Sequence, residues 1–217
     1  MSSLVLIPTV IINFLGIKFI ASRMGQKKAL LFGTYGAIGT SVLMFCLMVW
    51  GDPSSFSFAN ISFFTIAFCL LWIFQKGFSG ISGNIVIPMT ADCADYETYR
   101  TGKYVPGLMG TLFSFVDKVI SSLASTIVAL MFALVGYAQE VPTDKSPWSE
   151  GLFWVVVIAF TIVPIIGWLC NVVAMKFYPL TKEKMEEIQE KIAEIKAKNL
   201  AENEAAAAAE AVEAELL

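Results

Sequence analysis

The chain has 217 residues, 57% of them apolar and 13% aromatic, with 15 Lys and Arg against 18 Asp and Glu, no His, and a mean hydropathy of +0.70. That profile excludes a water-soluble domain of this size and describes a polytopic membrane protein. The formal charge of −3 belongs to the tail, because residues 201–217 hold five Glu and no base, so the body before them is slightly basic.

An apolar helix of about 20 residues crosses a hydrocarbon core, and five segments reach that length: Leu4 to Ala21, Ala29 to Trp50, Ile61 to Thr90, Gly107 to Tyr137 and Leu152 to Phe177. The first has no basic residues before it. Its positive residues, Lys18, Arg23, Lys27 and Lys28, follow the apolar run, so it reads as a retained span rather than a cleaved signal. Short cytoplasmic loops collect Lys and Arg. The loop SRMGQKK is basic without an acid, GDPSSFSFAN has no base, the next carries Arg100 and Lys103, and AQEVPTDKSPWSE has one Lys against three acids. The expected arrangement is a multi-pass protein of the cytoplasmic (inner) membrane, with its N-terminus outside and its C-terminus inside.

The third span begins bulky, FFTIAFCLLWIF, and ends in QKGFSGISGNIVIPM, where Gly77, Gly80 and Gly83 recur three apart among Ser79, Ser82 and Asn84. Small residues at that spacing admit another helix closely; the alternative is a wall facing a ligand. Pro88 removes a backbone donor and predicts a bend near the cytoplasmic end. Lys76 lies about 14 residues from either end, roughly 20 Å from each surface. A Lys there is expected to face the bundle interior or a wet cavity and to find a partner, with Asp117 nearest in depth. Alternatively the span begins later and Lys76 lies closer to an interface.

Between the third and fourth spans, Asp92 to Lys103 forms a charged loop, expected to act as a cytoplasmic gate through Asp92, Asp95, Tyr96, Glu97, Arg100 and Lys103. In the fourth span, Asp117 and Lys118 lie about 15 Å into the membrane and point about 100° apart. An acid and a base at this depth hold a polar substrate or balance a coupled cation, or else form an internal pair that only locks helices. Lys118, Asp117, Lys76 and Asn84 are the candidate substrate- and cation-binding residues. The four Cys (46, 69, 93 and 170) show no C-x-x-C pattern, and three lie in apolar runs where a thiol behaves as a small hydrophobe. Without His, a nucleophile elbow or clustered metal ligands, the chain lacks the usual parts of an enzyme, and no metal, cofactor or nucleic-acid partner is expected.

After Pro179, Thr181 caps an expected amphipathic helix over 181–198, with Met185, Ile188, Ile192 and Ile195 on one face and Glu187 and Lys191 in the favourable i,i+4 order. This helix lies on the membrane or packs under the bundle. Residues 199–217 are an Ala/Glu-rich tail. The domain layout is thus a transmembrane bundle over 1–180, the helix over 181–198, and the tail.

Asp92, Asp95 and Tyr96, then Thr101, Gly102, Lys103 and Gly107, then Lys118, then Gly136 and Tyr137 resemble the glycoside, pentoside and hexuronide cation symporters, the melibiose permease group of the major facilitator superfamily. The motif reads A-D-x-x-D-Y-x-x-x-R-T-G-K, then an apolar helix with a central Lys, closed by G-Y. The basic loop with Gly25 and the segment KFYPLTKEKMEEIQ are similar to that family too. The resemblance implies an all-α fold of twelve helices in two halves around a central sugar site, of which this chain matches the last five. It implies a sugar or glycoside substrate, a coupling cation (Na+ or H+) bound mainly by an N-terminal half, and a bilayer setting; a C-terminal piece alone is expected to be inactive. Lys118 matches the family's intramembrane Lys, and Asp92, Asp95 and Arg100 fall in its cytoplasmic gate. Glu97 stands where Gly is usual, Thr98 where an acid is usual, and Tyr104 where a base is usual, so the gate's ion pairs differ from the family pattern. Two rival readings are a non-transporting interaction or regulatory fragment and a carrier of lipid-type substrates.

Overall fold

The computed structural model describes residues 2–57, 60–102, 106–138, 142–143 and 146–194, and every regular element within them is helical. Four helices are long and apolar enough to cross a bilayer: α2, Gln26–Trp50; α3, Phe63–Thr101; α4, Pro106–Leu134, whose apolar run begins at Gly107; and α5, Glu150–Phe177. Helix α1, Ser2–Gly16, is shorter and continues through a π-helical turn, Ile17–Ala21, to Ser22–Met24. The five expected spans are therefore four full-length helices and a shorter apolar first one. A last helix, α6, covers 182–194; Ile195 and the 199–217 tail lie outside the described residues.

Local chemistry sets the helix ends. Ser62 Oγ accepts from Thr65 N at 3.2 Å to start α3, Ser149 Oγ accepts from Leu152 N at 3.2 Å to start α5, and Thr181 Oγ1 accepts from Lys184 N at 3.4 Å to start α6. Gly102 ends α3 with φ +71°, a left-handed conformation that glycine adopts without a Cβ penalty, and its N–H donates to Thr98 O at 2.8 Å. Within α5, a π-helical turn at Ile158–Ile162 ends two residues before Pro164, and the buried Thr161 hydroxyl donates to Val157 O at 2.6 Å. A widened turn next to a proline accommodates a ring that would otherwise meet the preceding carbonyl.

Helix α3 differs from the sequence-based expectation. It runs without interruption through Pro88 to Thr101, so Asp92 to Thr101 is the last part of a 39-residue helix and not a loop. At the helical rise 39 residues extend for roughly 58 Å, against a hydrocarbon core of about 30 Å. The surplus length carries the charged turns beyond the apolar layer, where water solvates their side chains.

The core forms where α1, α2 and α3 meet: Ala29, Leu30, Ile81, Ile85 and Met89 are buried, with Ile12, Ile20, Phe78, Val86 and Met175 against them. Glycine makes these approaches close. A Cβ on Gly33 would meet the Phe78 carbonyl oxygen and the Ser82 nitrogen at 2.9 Å, and one on Gly77 or Gly80 would strike Ile12 or Asn13 of α1. Gly77 and Gly80 thus serve helix packing, whereas Gly83, expected to join them, meets nothing within 4 Å. Hydroxyl and amide groups add interhelical bonds: buried Thr34 (α2) lies 3.0 Å from Ser82 Oγ (α3) and accepts from Asn171 Nδ2 (α5) at 2.9 Å. Each such bond contributes about 0.6 kcal/mol in a bilayer setting.

Helix α4 stands apart. Residues 110–127 are exposed throughout, so the middle of α4 is packed against no other part of the described chain.

Gly33→Val forces the α2 and α3 backbones apart and is expected to destabilise the fold by about 1–3 kcal/mol. Gly83→Ala, at the open position, is expected to be neutral. Thermal unfolding of the two variants in detergent separates these outcomes, and equal melting temperatures would contradict the close α2–α3 contact.

Candidate functional site

Three charges lie in the interior of the spans. Lys76 is 13 residues beyond Phe63 in α3 and Lys118 is 16 residues before Leu134 in α4, which puts them roughly 20 Å and 24 Å from the same end of the bundle if the helices are antiparallel. Asp117 sits beside Lys118. All three are exposed, and among the described residues none of their side chains makes an ion pair or hydrogen bond. The expected pairing of Lys76 with Asp117 does not form within this chain, because the middle of α4 is not packed on α3. An amine at this depth facing lipid costs about 2.5–3.5 kcal/mol or more, so it calls for polar surroundings, whether water, a solute or a partner charge.

The surroundings of these charges are polar on one side only. Thr111, Ser114, Lys118, Ser121 and Ser125 follow one another at alternating steps of three and four, which is one face of a helix, while Leu108, Leu112, Phe115, Val119, Leu123, Ile127 and Leu130 repeat on another. The 3-4 spacing of these hydroxyls was readable in the sequence but is drowned by the apolar average of the span. On α3, Lys76, Gly83 and Ile87 lie within about 40° of one another around the helix, and exposed Asn84 lies about 80° from Lys76, beyond Gly80, which meets α1. Ser82 and Phe78 point the other way, into α2.

The second cluster is at the end of the bundle that carries α6. Helix α6 packs beneath the last turns of α3: Leu180, Ile188 and Ile192 are buried against Cys93, Tyr96, Tyr99, Tyr178 and Met185. Asp95 Oδ2 accepts from Gln189 Nε2 at 2.6 Å, and the Lys184 and Lys191 amines lie 5.8 Å and 5.1 Å from the Tyr99 ring centroid. Lys27, at the start of α2, donates to the Tyr178 carbonyl at the end of α5, a cation satisfying a helix C-terminus. Of the expected gate pairs, one ion pair is present: Arg100 to Glu97 at 3.5 Å, one turn apart on the same helix and facing solvent. Such a pair is worth about 0–1 kcal/mol. Asp95 is engaged by Gln189 rather than by a base, and Lys103 lies outside the described residues. Gln26, Tyr178 and Gln189 lie in the two segments likened to the family, but nothing in the sequence joins them to Asp92 or Asp95, and that grouping becomes visible only when three separate segments are brought together.

Asp92 is about 29 residues, or roughly 43 Å, beyond the start of α3, outside the apolar layer. It lines a cavity of ≈330 Å³ with Gln26, Thr181, Lys182 and Gln189. Burial pushes its carboxyl up from 3.8 to about 6, the neighbouring Asp95 charge adds to this, and a hydrogen bond from Gln26 opposes it. Burial also raises the Cys93 thiol, and burial followed by the Cys93 and Asp92 charges raises the Tyr178 hydroxyl.

A family model described as MFS/sugar transport protein matches residues 1–182. The chain belongs to that family. It is a multi-pass membrane chain of a transporter family, and the resemblance drawn from the A-D-x-x-D-Y motif and the central Lys agrees with this assignment. Its relatives include the glucuronide carrier protein homolog of Escherichia coli (strain K12), 29% identical over 168 residues, covering 77% of this chain and 33% of that protein. The isoprimeverose transporter of Lactiplantibacillus pentosus is 24% identical over 184 residues, covering 84% and 34% respectively. The chain therefore spans about a third of the length of the curated relatives it matches. No solved structure matches it.

Two outcomes are expected at the α6 end of this MFS chain. Ile188→Asp buries a charge under Tyr96 and Tyr99 and should undock α6, a loss on the order of 3 kcal/mol, read as faster alkylation of Cys93 by mass spectrometry; unchanged labelling would show that α6 does not cover it. For Asp92, the native pKa lies above the unfolded value, so its contribution is fully present at low pH and is lost as pH rises through about 6. Hydrogen exchange across 182–194 should accordingly increase between about pH 5 and pH 7 beyond the intrinsic base-catalysed rise, and Asp92→Asn should abolish that excess.

Proposed function

We propose that this chain forms the C-terminal wall of a cation-coupled sugar or glycoside symporter that works by alternating access in the cytoplasmic membrane. The observation that carries the reading is the exposed Lys118 amine at bilayer depth, set in a strip of hydroxyls, Thr111, Ser114, Ser121 and Ser125, on a helix whose middle is packed against nothing in the described chain. Hydroxyl and ammonium groups at mid-membrane suit a polyhydroxylated solute, which exchanges its hydration shell for theirs. The same strip disfavours an acyl chain, so a lipid-type cargo fits it poorly. The relatives, about three times as long, leave room for an opposing half that closes the pathway and supplies the acids for a coupling Na+ or H+. Transport of a glucuronide or of isoprimeverose, named for those relatives, sets the scale of the cargo: one or two sugar rings.

In this reading the α6 end is cytoplasmic, as the basic residues Arg23, Lys27 and Lys28 require, and Asp92, Asp95, Tyr96, Glu97 and Arg100, with Lys103, form its gate. Lys118, Asp117, Lys76 and Asn84 are the residues this reading assigns to the solute and the cation. The gate acids stand on a helix end that α6 holds, so gate movement and α6 docking are linked. Individually weak polar contacts of this kind bias a two-state equilibrium by a few kcal/mol when several act together.

In the full-length protein, Lys118→Ala is expected to lower gradient-driven sugar uptake into proteoliposomes by about tenfold or more, while the protein stays monodisperse in detergent. Uptake that persists at the wild-type rate, and remains coupled to the cation gradient, would remove Lys118 from the pathway.

A further inference from the structure

Packing gathers the bases at the α6 end of the bundle. Lys27 of α2 donates to the Tyr178 carbonyl at the end of α5, and Gly25, at φ +79°, lies so close to α6 that a Cβ there would meet the Lys182 Cβ at 2.9 Å. These two contacts bring Arg23 and Lys28, on either side of Gly25, toward Lys176 in the last turn of α5 and Lys182 at the start of α6. All four bases are exposed, and among the described residues none of them makes an ion pair. The acids beside them are Glu183, at the same helix start, and Glu186, which lines the cavity with Asp92 and Lys182. Bonds from its own backbone and from the Thr181 hydroxyl chiefly hold the Glu183 carboxyl below its ordinary value, and the Lys28 and Lys182 charges add to this, so the fields of both bases overlap there.

This corner is turned away from the Lys76 face of α3. Phe78 and Ser82, where α2 meets α3, lie about 160° and 120° around α3 from Lys76, and α5 is joined to α2 through Asn171 and Thr34. On α2 itself, Lys28, Tyr35 and Val42 lie within about 40° of one another and about 140–180° from Gly33, which meets α3. Tyr35 is 57% and Val42 45% exposed. Met24 and Phe177, 47% and 80% exposed, stand at the level of the bases, where α2 begins and α5 ends. Positive charge at the edge of the apolar layer thus stands above an apolar strip.

We infer that Arg23, Lys28, Lys176 and Lys182 form a binding surface for the headgroup of an anionic phospholipid, whose acyl chain lies along Tyr35 and Val42 of α2. Membrane topology alone asks for bases on one side of the bilayer, but not that three segments bring them together beside exposed apolar residues. A small soluble anion would satisfy the bases and leave Met24 and Phe177 against water, whereas an amphiphile covers both. Each Lys or Arg near the membrane surface adds to the attraction for anionic lipid, and the long stems of these side chains lie along apolar surface while their charged ends reach the headgroups. A bound headgroup ties the start of α2, the end of α5 and the start of α6 to one another. The inference is independent of the cargo, and an opposing half that closes on the Lys76 and Lys118 faces leaves this corner to the bilayer.

Native mass spectrometry of the full-length protein, released from nanodiscs of equal parts phosphatidylcholine and phosphatidylglycerol, reads the bound lipid directly. Retained phosphatidylglycerol is expected to exceed phosphatidylcholine by about tenfold or more when the sample is prepared at about 0.1 M salt, and to approach parity at about 1 M, where the screening length falls from about 10 Å to about 3 Å. Arg23→Gln with Lys28→Gln, and separately Lys176→Gln with Lys182→Gln, are each expected to lower the ratio about threefold or more, and the four together to bring it close to one. Equal retention of the two lipids by the wild type would overturn the inference, as would a ratio that survives in the fourfold variant or at high salt. Displacement of the phosphatidylglycerol by inorganic phosphate at about 10 mM would show that an anion without its acyl chains suffices, and would overturn the lipid assignment. The two paired variants and the salt series keep the test open to refutation if the fourfold variant does not fold, and each of these outcomes leaves the carrier reading standing.

Discussion

Hydrocarbon offers an ammonium group no hydrogen bonds and no counter-charge, and the arrangement of this chain follows from where it places two such groups. Lys76 and Lys118 lie on helix faces that the rest of the described chain leaves open, beside open Gly83 and exposed Ile87 in α3, while Gly77, Ile81 and Ile85 are committed to packing. A helix in a bilayer cannot pack through hydrophobicity alone, since lipid is as apolar as leucine. Close approach at Gly33, Gly77 and Gly80 and the hydroxyl and amide bonds among Thr34, Ser82 and Asn171 do that work instead. The result is an α3 with a packed side and a free side, and the charge is on the free side.

The opposite solution operates at the α6 end, where α3 has left the apolar layer. There the helix is longer than the bilayer requires, and its polar final turns become a docking surface for α6. Buried Ile188 and Ile192 anchor the contact, Tyr96 and Tyr99 provide its floor, and Gln189 and Lys191 hold its polar rim. Lys27 ties the start of α2 to the end of α5 beside it. Chain segments about 150 residues apart in sequence thus meet around Asp92, and desolvating that carboxyl in the process is what raises its proton affinity.

Much of the site lay open in the sequence because the signals are local. Span lengths come from apolar runs, Lys118 stands out as a charge inside one of them, Thr181 caps α6, and the order of Asp92, Asp95, Tyr96, Gly102 and Lys118 carries the family likeness. The reading failed where a residue's partner is set at a distance. Charge density between Asp92 and Thr101 suggested a loop, since sequence alone does not tell how far a helix continues into water after it leaves the membrane. Gly77, Gly80 and Gly83 form one pattern, yet only the first two meet another helix, because α1 crosses α3 at one height. Lys76 and Asp117 match in depth, and depth says nothing of the separation between their helices.

The sequence by itself determined what is local and additive: a membrane chain, the positions of its spans, the cap that starts α6, and the presence of amines where the bilayer is driest. Tertiary structure decided which face of each helix is used, that α6 lies under the bundle, and that Asp92 shares a cavity with Gln26 and Gln189. Those outcomes depend on the angles and heights at which helices cross, and these are fixed by contacts between residues far apart in the chain, which no window of sequence contains.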